Sequence, residues 1–98
     1  MKHLANAEKN TEFSEFIKVA GNNVVFTIQD GPINEAGMNG CQAQDMLEFV
    51  KHLFKSLDES FPCQENKNTI TYISKALHWQ NERNKDRILR GVEGNSQV

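Results

Sequence analysis

Residues 42–91 read QAQDMLEFVKHLFKSLDESFPCQENKNTITYISKALHWQNERNKDRILRG, and this stretch decides the fold. Its first part sets Met46, Leu47, Phe49, Val50, Leu53, Phe54 and Leu57 at helical spacing, an unusually wide apolar face running from Gln42 to about Ser60. Phe61-Pro62-Cys63 breaks that helix, since proline has no N–H for the ladder and moves the residue before it out of the helical region. A second helix is predicted to start between Glu65 and Thr69, where Asn66, Asn68 and Thr69 are competent caps. It ends at Gly91, a glycine directly after a basic last turn. Two long helices joined by a short connection make an antiparallel hairpin.

The second helix carries the chemistry. Tyr72, Ala76, Trp79, Arg83, Arg87 and Arg90 recur at three- and four-residue steps, so they share one edge. Ile70, Ile73, Leu77 and Ile88 keep the same rhythm on an adjacent face suited to packing. Aromatic rings stack on bases, and guanidinium forks hold phosphate oxygens bidentately, so the edge reads as a nucleotide or phosphate site. An ordinary amphipathic helix with a solvated basic end, favoured by the C-terminal dipole, is the competing reading.

Upstream, Phe13–Val19 and Val24–Gln29 are short runs rich in β-branched and aromatic residues, joined by Gly21-Asn22-Asn23. They are predicted as two antiparallel strands. Asp30-Gly31-Pro32 turns the chain, and the loop 33–41, with Gly37 and Gly40 around Asn39, is too glycine-rich for a helix. Backbone amides at Asn39 and Gly40 are candidates to meet a ligand. Residues 1–10 are polar and aperiodic and read as a flexible lead-in, and 92–98 as a tail. The chain is thus a single α+β domain: a β-hairpin over 11–41, then a helical hairpin over 42–91. Ninety-eight residues with a mean hydropathy of −0.62 are lean for a self-sufficient core. The wide face of the first helix exceeds what one helix and a two-stranded ribbon can cover, so self-association is expected.

Charge narrows the partners. Residues 1–65 hold 5 basic and 10 acidic side chains, and residues 66–90 hold 6 basic and 2 acidic. An acidic front half does not suit a DNA- or RNA-binding protein, which needs a broad basic footprint. Focused positive charge on one helix suits a small anion. No apolar run approaches the ~20 residues of a membrane-spanning helix, and no signal core precedes the fold. Cys41 and Cys63 are expected to stay free, and His3, His52 and His78 show no metal-ligand spacing. No nucleophile, paired acid, metal or cofactor site is legible, so the chain reads as a binder that is not an enzyme.

Several spaced motifs then resemble one family. The loop Gln29-Asp30-Gly31-Pro32-Ile33-Asn34-Glu35-Ala36-Gly37-Met38-Asn39-Gly40 is similar to the signature loop of the Thoeris anti-defence 1 family of phage proteins. Cys63-Gln64-Glu65-Asn66, Ala76-Leu77-His78-Trp79, Arg83, Asp86-Arg87 and Arg90-Gly91-Val92-Glu93-Gly94 follow in the family's order. The helical hairpin is shared with the anti-CBASS protein 2 family. The resemblance implies a sponge in the cytoplasm of an infected bacterium. Such a protein binds glycocyclic ADP-ribose, or cyclic di- and trinucleotides, without cleaving them, as a dimer or hexamer with pockets between subunits. The family's two helix arginines fall on Arg83 and Arg87, and its inter-helix asparagine falls on Asn66. Arg90, Thr71 and Asn39 are further candidates, and Phe61 or Leu57 stands in for an aromatic residue that has no clear match. Gln64 replaces the usual arginine and Asn84 the usual threonine. Arg90 beside Gly91 and Asn66 as a cap each have a sufficient structural explanation. The alternatives to a sponge are a hairpin oligomer binding a protein partner and a groove-binding DNA regulator.

Overall fold

The computed structural model describes residues 2–89, apart from the Ile88 side chain. The order is α1 (Lys2–Asn10), a 3₁₀ turn (Ser14–Phe16), β1 (Ile17–Ala20), β2 (Asn23–Phe26), α2 (Ile33–Ala36), α3 (Ala43–Ser60) and α4 (Gln64–Leu89). The α+β class and the helical hairpin are as expected. Arg90, the predicted stop at Gly91 and the tail lie outside the described residues.

The lead-in is a helix, not a flexible segment. Leu4 and Ala7, three residues apart, point the same way and are buried against α3, while Thr11 Oγ1 donates to Ala7 O at 2.7 Å where the helix ends. Three apolar residues in nine, Leu4, Ala5 and Ala7, two of them small, give no readable period, and a helix this short exists only through its tertiary packing.

The ribbon is shorter than predicted. Phe13 to Phe16 lead in through the 3₁₀ turn, and β1 pairs with β2 from Ile17↔Phe26 to Ala20↔Asn23. The turn is therefore Gly21-Asn22, with the positive φ of 60° at its glycine. Beyond β2, Ile28 and Cys41 form an isolated parallel bridge: Cys41 N–H donates to Thr27 O (2.8 Å), and Gln29 N–H to Cys41 O (2.7 Å). The loop between them holds one helical turn, α2, where a helix was not expected. Pro32 at its N-cap has extended φ/ψ, and Gly37 closes it at φ 72°.

The core is small. Leu4, Ala7, Ile17, Cys41 and Phe49 are buried, with Phe13, Phe16, Val19, Val24, Phe26, Met46 and Leu53 packed around them. Phe26 meets Phe49 edge-on at 5.5 Å. One flank of α3 is thus covered by α1 and the other by α4. Even with α1 in place, Phe49 is the one fully buried residue among the seven apolar positions of α3, and Met46, Leu47, Val50, Leu53, Phe54 and Leu57 stay half-buried. No described residue of α4 is buried, and the molecule measures 44 × 28 × 14 Å.

Candidate functional site

The connection between α3 and α4 is built on Asp58. Its Oδ1 accepts the Cys63 N–H at 3.1 Å, and Lys67 Nζ lies 3.1 Å from Oδ2. These contacts, the backbone bond foremost, hold the Asp58 carboxyl below its usual range. Cys63 Sγ accepts the Asn66 N–H at 3.4 Å, so the thiol rather than Asn66 occupies the cap position of α4. Helix α4 consequently starts one residue before the predicted window. Asn66 is freed from capping, and its Nδ2 donates to Phe61 O at 3.4 Å. Phe61 is 69% exposed. Thr71 is exposed, and its Oγ1 donates to Lys67 O at 3.0 Å. Phe61, Asn66 and Thr71 therefore gather at one end of the hairpin.

Arg83 and Arg87 stand toward the other end. Arg83 is 17 positions from Asn66, about 25 Å at the 1.5 Å rise of a helix. Between them runs the aromatic edge. Tyr72 and Trp79 are each 68% exposed, Ala76 lies between, and Lys75 Nζ sits 5.1 Å from the Tyr72 ring centre. His78 contacts Trp79 edge-on at 5.5 Å. Arg83 is exposed and Arg87 half-buried. Within one subunit the structure leaves this edge in solvent from Tyr72 to Arg83 and separates the two groups of candidate residues.

Asn39 belongs to neither group. Its side chain accepts the Asp30 N–H at 2.8 Å and donates to Asp30 O at 2.9 Å. The amides of Asn39 and Gly40, expected to be available to a ligand, both donate to Gln29 Oε1, at 2.9 and 3.2 Å. Gln29 Nε2 in turn donates to Gly31 O (3.0 Å) and Gly37 O (2.7 Å). The loop is tied to itself by two side chains. Sequence reasoning read it for its glycines and missed Gln29, whose signal was a carboxamide ten residues ahead of a second one.

Two surface concavities hold none of the predicted ligand residues. One, about 290 Å³, lies between α1 and α3 beside Asn6, His52 and Lys55. The other, about 270 Å³, is lined by Glu12, Asp45 and Glu48 together with Leu77 and Asn81 of α4. Burial, and then repulsion from Glu12 and Glu48, pushes the Asp45 carboxyl up against the opposing bond from Gln42 N–H, and this acidic concavity repels phosphate. Burial also raises the Cys41 thiol, with Asp45 adding to it, and both cysteines are free. Among the described residues no three His, Cys, Asp or Glu side chains are placed to hold a metal, and no helix is long and apolar enough to cross a membrane.

The fold and the open edge define a class: a small α+β protein whose helical hairpin displays aromatic and cationic groups on its last helix. No protein-family model matches the chain. It is 38% identical over 76 residues to Thoeris anti-defense 1 of Bacillus phage SBSphiJ7, an alignment covering 76% of this chain and 54% of that protein. The likeness supports this chain's membership of the Thoeris anti-defense 1 family, the same family that its motifs resemble. The chain spans about half the length of that relative.

Proposed function

We propose that the protein is a phage anti-Thoeris factor that binds and sequesters a nucleotide immune messenger, glycocyclic ADP-ribose, and releases it uncleaved. Cyclic di- and trinucleotides are the second ligand class, and the site of action is the host cytoplasm. One observation carries the reading. The exposed edge of α4 ends in Arg83 and Arg87, and the amide, hydroxyl and ring that would complete a nucleotide site stand about 25 Å away.

No mononucleotide-sized ligand spans that gap, so a complete site needs two copies of the chain. Two α4 helices running antiparallel, with a two-fold axis near Ala76, set Tyr72 against the partner's Trp79. The same pairing sets Arg87 against the partner's Gln64, and Arg83 against the partner's Asn68, two positions from the partner's Asn66. Such an arrangement covers the aromatic rings and makes two equivalent sites, each with guanidiniums from one subunit and Phe61, Asn66 and Thr71 from the other. The arginine forks take the pyrophosphate, and the carboxamide reads a base or ribose edge. Arg90 extends the same edge by one more turn, and Asn39 supports loop shape rather than ligand.

The test is a melting scan with a panel of cyclic nucleotides, followed by denaturation and chromatography of the ligand. A sponge gains several degrees with its messenger and returns it intact. No shift with any member of the panel, or recovery of a hydrolysed product, would overturn the reading.

A further inference from the structure

A strand edge presents a row of N–H and C=O groups that accept another strand unless something prevents it. The two edges of this ribbon differ. On β1, Glu8 reaches across from α1 and its Oε2 accepts the outward Val19 N–H at 2.9 Å, with α1 lying alongside. On β2 the inward groups are known from their bonds: Thr27 N–H donates to Phe16 O, and Thr27 O and Gln29 N–H both engage Cys41. Strand alternation then turns the main-chain groups of Val24, Phe26 and Ile28 outward. Along that side no helix or strand of the described residues is paired. The stretch Asn23-Val24-Val25-Phe26-Thr27-Ile28 carries neither charge nor proline, the composition that natural edges avoid. Val25 is 61% and Ile28 51% exposed.

We propose that this edge receives a second copy of the same chain, β2 pairing antiparallel with the partner's β2 about a two-fold axis at Phe26. In this register Val24 faces the partner's Ile28, and Phe26 faces the partner's Phe26. All outward groups are then used, in about six main-chain hydrogen bonds. Ile28 gains the partner's Val24 as a neighbour, and Val25 gains the partner's Thr27. A copy of this chain fits better than an unrelated strand because the pairing is self-complementary and uncharged from end to end. The product is a four-stranded sheet whose outer strands are both β1, the strand guarded by Glu8. No residue of α4 takes part, so this interface stands independently of the nucleotide site.

Hydrogen exchange on the whole chain, read amide by amide, separates the two edges. The Val25 and Thr27 amides, which face β1, should be protected at every concentration. Those of Val24, Phe26 and Ile28 should slow by at least about tenfold where light scattering finds the assembled protein. Ile28→Pro deletes an outward N–H that the subunit itself does not use; it should fold, lose that protection and show half the assembled mass. Val25→Glu places a charge at the seam, opposite Lys18 of its own ribbon, and should behave alike; it decides the matter if the proline variant does not fold. Free exchange at Val24, Phe26 and Ile28 in the assembled protein, a folded variant with full wild-type mass, or a monomer at all concentrations would each overturn the proposal.

Discussion

Gly40→Ala tests the joint at which the chain returns to the ribbon. A Cβ at this position would overlap the Ile28 carbonyl carbon and lie 2.5 Å from the Gln29 nitrogen and 2.6 Å from the Ile28 oxygen. All three are main-chain atoms, so no flexible side-chain tip can swing aside. They are held by the Gln29 and Cys41 hydrogen bonds at 2.7 and 2.8 Å. Making room means parting those bonds, roughly 0.5–1.5 kcal/mol each. It also displaces Cys41, which has no exposed surface, at about 1–3 kcal/mol of repacking strain. The expected loss is about 2–6 kcal/mol, a large share of the ~5–15 kcal/mol typical of a domain. Urea titration followed by circular dichroism measures it. Gly21→Ala is the control: its φ is +60° and nothing lies within 4 Å of its Cβ, so it should lose only the ~1–2 kcal/mol of a left-handed residue. A Gly40→Ala loss no greater than that of Gly21→Ala would refute the close approach.

Leu4→Ala should cost about 2–3 kcal/mol in the same titration, since Leu4 is a core residue of α1 and not part of a loose lead-in. Asp58→Asn should lower the urea midpoint near neutrality. Because the folded carboxyl titrates below its usual 3.8, that contribution is complete above this value and vanishes as pH falls through the folded pKa, where the two proteins should converge. Arg83→Ala and Arg87→Ala should each weaken messenger binding by ~1.5–3 kcal/mol by calorimetry, with fold and assembly retained. Arg83→Lys should also bind poorly, because an ammonium lacks the planar fork.

The helical hairpin was legible because its signals are local and repeated. Seven apolar residues on α3 keep one period, and Pro62 interrupts at one point. The start of α4 moved by one residue because a cysteine thiol, seldom read as a cap, took the place of Asn66. Helix α1 was not legible, because one leucine and two alanines carry no period and its formation depends on a surface of α3 some fifty residues away. The loop 29–40 misled for a different reason. Glycines announce what a backbone is able to do, whereas the hydrogen bonds of Gln29 and Asn39 decide what it does. For the candidate site, the sequence placed Arg83 and Arg87 on one helical edge with Tyr72 and Trp79, and the structure leaves Tyr72, Trp79 and Arg83 exposed there and Arg87 half-buried. The separation of Asn66 from Arg83 is simple arithmetic on a helix, yet it acquires meaning only once the helix is seen to run unbroken between them.

The shortest dimension of the molecule, 14 Å, is only slightly more than one helix with its side chains. A body that thin has almost no inside, so whatever lies against either face is a large fraction of all that holds it folded. For a chain of this size each kcal/mol moves the melting point by roughly 4–8 °C. Melting temperature is therefore an unusually sensitive gauge of occupancy here. The protein should also be easiest to unfold when dilute and empty, and should harden as its own concentration or that of its ligand rises.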